Sequence, residues 1–182
     1  GPGVTLANAD KAQAGFTAPA TPATLTFRLI VTDGRGLASL ADTVTVTAND
    51  VPVSNLVASS NGPTTLGAQT TLSASASGSN IAYQWELGDG ATASGSTLTH
   101  TYAAAGTYTA KVTATNGAGS QTATVVVTVT NQKPAIVTGG NQSVKVNELV
   151  VLDASNSSDP DGHLPLVFAW EQTGGPAVTL SD

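Results

Sequence analysis

The sequence predicts an all-β protein, with immunoglobulin-like β-sandwiches in tandem, one complete and two complementary half-sandwiches. Three observations carry that expectation. Polar and apolar residues alternate at period two, as in Thr43-Val44-Thr45-Val46-Thr47 and Tyr108-Thr109-Ala110-Lys111-Val112, the pattern of strands with one buried and one wetted face. Turn formers punctuate these runs, among them Asp33-Gly34-Arg35-Gly36, Asn61-Gly62-Pro63, Gly88-Asp89-Gly90 and Asn116-Gly117, and no dozen residues sustain an apolar stripe at helical spacing. Finally, the pattern repeats. Residues 24–36 align with 107–119, placing Asp33 on Asn116 at a spacing of 83, and Trp85-Glu86 returns 85 residues later as Trp170-Glu171. That spacing is the length of one small sandwich.

Taken in order, residues 1–50 hold the back half of a module, with late strands near 25–29 and 43–47 and no Trp. Residues 51–130 hold a complete one: a first strand, the run Thr71-Leu72-Ser73-Ala74-Ser75, Trp85 on a central strand, the Gly88-Asp89-Gly90 turn, Tyr108 after Gly106, and a last strand over 124–130. Residues 131–182 hold only the front of another. There Val151-Leu152-Asp153-Ala154-Ser155 matches the run at 71–75, and the chain stops soon after Trp170. The two ends share a phase, since Gly1-Pro2-Gly3-Val4-Thr5-Leu6 returns as Gly175-Pro176-Ala177-Val178-Thr179-Leu180. With 28 Thr and 16 Ser the composition also suits a flexible low-complexity tract, but the alternation places these β-branched and small polar residues on the outer faces of strands.

Composition excludes several function classes. Twelve acidic residues against six basic ones give a net charge of −6, so no basic footprint is available for nucleic acid, and anionic lipid would be repelled. The chain has no Cys, hence no disulfide framework, thiol nucleophile or Cys-ligated zinc. No run approaches 18 apolar residues, so no membrane span is expected, and no secretory apolar region opens the chain. The lack of Met, even at position 1, is expected of a processed chain or of a window cut from a longer one.

The run Tyr83-Gln84-Trp85-Glu86-Leu87-Gly88-Asp89-Gly90, followed by His100-Thr101-Tyr102, Gly106-Thr107-Tyr108 and Thr115-Asn116 ahead of Gly119, resembles the PKD (polycystic-kidney-disease-type) immunoglobulin-like domain. That family favours W-x-F-G-D-G, from which Leu87 is a conservative departure. The resemblance covers 51–130. The outer halves resemble a related PKD-like group through residues 152–162, through Trp170-Glu171-Gln172-Thr173-Gly174-Gly175-Pro176, and through Val31-Thr32-Asp33-Gly34. It implies tandem modules on extracellular surface proteins, adhesins and secreted hydrolases, acting in adhesion, as spacers or in assembly rather than in catalysis.

Residue by residue, Trp85 and Trp170 are expected on apolar strands in the cores of their sandwiches; stacking on a sugar is the alternative. Tyr108 suits a tyrosine corner, and Leu25 takes its place in the other module. Asp89 between two glycines reads as a turn residue. Glu86 and Glu171 follow the two Trp residues and so face the wet side. His100 and His163 have no Ser or Asp partner at a recognisable spacing, and no catalytic constellation is found. Asn141 and Asn156 begin glycosylation sequons of the kind that chance supplies in so Ser- and Thr-rich a chain. One constellation has metal chemistry: Asp159-Pro160-Asp161-Gly162, with Asn156 and Ser157 just upstream, offers hard oxygens of the sort calcium takes six to eight of. The related modules place a late-strand Asp near this turn, which corresponds to Asp33. The expected ligands are therefore Asp159, Asp161, Asp33 and Asn156, drawn from opposite half-modules; the plain alternative is a type I turn with solvated acids.

A half sandwich leaves open edges and a bare apolar face. The ends of the central module are expected roughly 25 Å apart, at about 3.3 Å per strand residue, so closure within one chain is disfavoured. Copies are expected to join head to tail into an open polymer, as true chain ends or as repeats of a longer tandem chain. Writing the end motif twice in a direct fusion is awkward, which favours an overlapping window or displaced end strands. The expected function is thus a structural module of an extracellular or cell-surface filament, stalk or adhesin. Its partners are itself or adjacent repeats, with cell-surface or matrix contacts beyond them. The alternative is a binding or spacer accessory module of a secreted hydrolase.

Overall fold

The computed structural model describes residues 3–179; of the motif shared by the two ends, Gly1, Pro2 and Leu180 lie outside the described residues. Strands β1 (Ala23–Leu29) and β2 (Asp42–Ala48) form an antiparallel pair. The central domain follows as β3 (Ser54–Ser60), β4 (Thr64–Thr65), β5 (Thr70–Ser77), β6 (Ala82–Glu86), β7 (Thr92–Ser94), β8 (Thr97–His100), β9 (Gly106–Asn116) and β10 (Gly119–Thr130). The described residues contain no helix, and none long and apolar enough to cross a membrane. The protein is all-β, as the alternation predicts.

Strands β4-β10-β9-β6-β7 make a five-stranded sheet and β3-β5-β8 a three-stranded one. The two enclose a single core, because period-two alternation on β5, β9 and β10 directs one residue in two between them. Leu72 and Ala74 on β5, Ala110 and Val112 on β9, and Val127 and Val129 on β10 are buried, and Trp85 lies at the centre, only 1% exposed. Its ring nitrogen donates to the Gly95 carbonyl at 3.1 Å, so the one polar atom of a buried indole is satisfied. The Tyr102 hydroxyl donates to the Leu87 carbonyl at 3.0 Å. Tyr108 donates to the carbonyl of Ala104, four residues upstream, at 2.7 Å, the tyrosine corner expected of it. Gly88 has φ +90°, and a Cβ there would lie 2.8 Å from the Thr109 carbonyl oxygen, so this turn admits only glycine.

The flanks are open. On the N-terminal side Leu25 is buried and the Phe16 and Phe27 rings sit 4.8 Å apart, but Leu29, Val44 and Val46 remain exposed. On the C-terminal side the described residues from 131 onward form no strand; an antiparallel bridge joins Ala135 and Ser158, the Gly139 N–H donates to the Asp153 carbonyl, and side-chain bonds tie Ser157 to Val137 and Gln142 to Val151. Trp170, expected on a strand within a core, is therefore neither: it is 43% exposed in irregular chain. The physical reason is the lack of a facing sheet. Two or three isolated segments do not hold a strand without an apolar surface to pack on.

Candidate functional site

The pairing register connects the flanks to the central domain residue by residue. In the central domain Tyr108 pairs with Val127 and Ala110 with Val125; in the N-terminal hairpin Leu25 pairs with Val46 and Phe27 with Val44. The hairpin is thus built like β9 and β10, yet it is uncovered. Val112 is fully buried, whereas its counterpart Leu29 is 62% exposed. Leu72 and Trp85 are buried, whereas their counterparts Leu152 and Trp170 are exposed. Ile136, Ala154, Leu166, Phe168 and Trp170 line an open apolar cleft of about 530 Å³. Apolar surface on this scale, contiguous and unpaired, marks a contact surface.

The acidic turn lies beside that cleft in sequence. Asp159, Asp161 and His163 bring their ligand atoms within 4.8 Å of one another; His163, read from sequence as having no Asp partner, places Nδ1 3.9 Å from Asp159 Oδ1. Asp159 accepts from the Asp161 N–H at 2.8 Å, and Asp161 accepts from both the backbone N–H and the side-chain amide of Gln132. Asn156 is exposed on the preceding turn. Asp33 is not part of this group: on the other flank its Oδ1 accepts from the N–H groups of Arg35 and Leu37 at 2.8 and 2.9 Å. The Leu37 and Arg35 N–H bonds, in that order, hold its carboxyl below the usual range.

Two junctions escaped the sequence reading. Asp50, in the link between β2 and β3, accepts from Ser79 Oγ at 2.8 Å, from the Asn80 amide at 2.6 Å and from the Gly117 N–H at 3.0 Å. Hydrogen bonds from Asn80 and Ser79 keep its carboxyl below the ordinary carboxylate range. Gln132 stands two residues before Pro134 as Asp50 stands two before Pro52, and it makes the same joint with donor and acceptor exchanged. The repeated spacing to proline was the available signal, but nothing in it shows which loop the linker side chain meets.

A second correction concerns His100, which the sequence shows without an acidic partner. Its Nε2 lies 2.7 Å from Asp89 Oδ2, across the end of β8, while Asp89 Oδ1 accepts from the Ala91 N–H. The pair joins residues eleven apart only because the turn after β6 folds over β8. Burial opposes ionisation of Asp89, but the bonds from His100 and Ala91, with the His100 charge, outweigh it and the carboxyl lies below its usual value. Its contribution is therefore present above the ordinary carboxylate pKa, about 4, and is lost as pH falls through the lowered folded value. Asp89→Asn is expected to destabilise the domain at pH 6, by no more than about 1 kcal/mol for a partly solvated pair, and the difference is expected to shrink as pH is lowered from 6 through the folded value. A constant difference across that range would show that ionisation of Asp89 is irrelevant.

Residues 54–129 match the family model described as PKD domain. Among solved structures, that titled "Structure of amphioxus IgVJ-C2 molecule" is similar at 20% identity and a TM-score of 0.44, over 59% of this chain and 60% of the length of that one.

Proposed function

We propose, from the premise that residues 54–129 are a PKD domain, that this chain is a structural module of an extracellular filament, stalk or adhesin. A PKD domain is a non-catalytic structural or binding module, typically extracellular or on a surface. The finer reading is that copies, or repeats of a longer chain, join head to tail, the back half at 1–50 of one completing the front half at 131–182 of the next. One observation carries it: the residues exposed on the flanks are counterparts of those buried in the central core, with Leu29 and Trp170 standing for Val112 and Trp85. Burying such sets gains about 25 cal/mol per Å² of apolar area, and a heterologous contact of this kind does not close on itself.

Calcium is the second element of the proposal. In the central domain the Asn116 amide donates to the Val51 and Ser79 carbonyls at 2.7 and 2.8 Å, and its Oδ1 accepts from the Ala118 N–H. Asp33 takes the place of Asn116 in the repeat and caps its turn in the same way. A carboxylate cannot donate to two carbonyls. At a completed joint, Asp33 of one copy would face the Asp159 and Asp161 turn of the next as oxygen against oxygen, an arrangement suited to a hard cation, with Asn156 supplying a further oxygen. Electron microscopy and light scattering of the full chain test both elements. Fibres of beaded sandwiches are expected, shortened by chelator and restored by calcium. A monodisperse monomer at high concentration would overturn assembly; fibres indifferent to chelator would overturn the cation alone.

The exposed rings of Phe168 and Trp170 favour a second reading, an accessory binding module of a secreted hydrolase, in which they stack on a sugar. That reading needs the cleft open in the working state, whereas assembly needs it filled. Retention on a polysaccharide column by monomeric protein would support it.

A further inference from the structure

The geometry points to a defined joint: residues 167–171 of one copy pair antiparallel with residues 28–32 of the next, setting Trp170 opposite Leu29 and joining Glu171 to Arg28 by an ion pair across the two copies. This register rests on the head-to-tail reading and specifies it.

In the central domain β9 lies between β10 and β6. Its pairing with β6 sets Ala82 against Thr115, Gln84 against Thr113, Trp85 against Val112 and Glu86 against Lys111. Among the described residues β1 has β2 along one edge and no strand on the other, as β9 would be without β6. The repeat spacings of 83 and 85 residues carry the β6 register onto the flanks and bring Val167 to Thr32, Ala169 to Ile30, Trp170 to Leu29 and Glu171 to Arg28. The last pair carries the charge complementarity of β6 and β9 into the joint. Lys111 Nζ and Glu86 Oε1 form an ion pair at 2.9 Å on the wet face of the sheet, and the transferred register places a basic and an acidic residue in the same orientation. Arg28 and Glu171 are both exposed, and among the described residues neither has an ion-pair partner within its own chain. A one-residue slip would put Trp170 on the wet face and separate the charges. Opposite charges directly across a strand pair favour the register that joins them.

The chain has no native Cys, so an engineered pair reports its own neighbours. In the full chain, Ala169→Cys with Ile30→Cys places two thiols directly opposite on the wet face, within the reach of a disulfide. Mild oxidation is expected to give a non-reducing gel ladder in steps of one 18.0 kDa subunit, collapsed by reductant. Ala169→Cys with Thr26→Cys, four residues out of register, is expected to give at least tenfold less. Separately, Glu171→Arg is expected to weaken assembly about two- to fivefold, and adding Arg28→Glu to the same chain to restore it. A ladder equal in both cysteine variants, a cross-linked monomer, or polymers that never cross-link through Ala169 and Ile30 would each overturn this register and leave head-to-tail assembly to be judged by microscopy. Monomeric protein in both the parent and the variants would overturn assembly itself, and the register with it.

Discussion

Replacing Trp170 by aspartate is expected to prevent end-to-end assembly while leaving the central domain as stable as before. The indole is the largest apolar group on the C-terminal flank, and with Phe168 it lines the cleft between the segments at 133–138 and 166–170. A buried Trp at the centre of an interface contributes at least about 2 kcal/mol on truncation, which is about thirtyfold in the joint constant. A carboxylate in the same place adds a desolvation cost. Because the chain has only two Trp, the variant keeps Trp85 as its sole indole, and its fluorescence reports the central domain alone. Sedimentation should therefore show loss of polymers with an unchanged Trp85 unfolding midpoint. Polymers persisting at the parent concentration would show that the cleft is not the joint.

Trp85→Ala is expected to have the opposite signature, loss of the central domain. Truncating a large buried aromatic costs about 3–5 kcal/mol, against a total stability of about 5–15 kcal/mol for a domain. It also leaves the Gly95 carbonyl without its indole donor. Urea unfolding followed by circular dichroism should show a midpoint far below that of the parent, with Trp85→Phe between the two. If Trp85→Ala and Trp170→Asp gave the same profile, the division into a closed central core and open flanks would be mistaken.

Much of the central domain is legible from its sequence because its determinants are local. Alternation at period two gives the strands and their buried faces, Asn-Gly and Gly-Asp-Gly give the turns, and the spacing of Tyr108 from Gly106 gives the corner. The His100–Asp89 pair and the Asp50 and Gln132 joints are different. Each brings together residues from eleven to several tens of positions apart, and a one-dimensional pattern has no term for which loop lands on which linker.

The same distinction governs the flanks. The repetition of Trp85-Glu86 at Trp170-Glu171, and of β9 in β1, is written in the chain, and it is the ground on which we propose the two outer segments as counterparts of a folded module. Their actual state was decided by tertiary structure: β1 and β2 hold as a pair, whereas the C-terminal segment forms no strand and leaves Trp170 in solvent. A strand keeps its shape by hydrogen bonds to neighbours and burial against a facing sheet, and those belong to whatever surrounds it. Sequence carries the propensity to alternate; only the presence of a partner surface makes that propensity a strand.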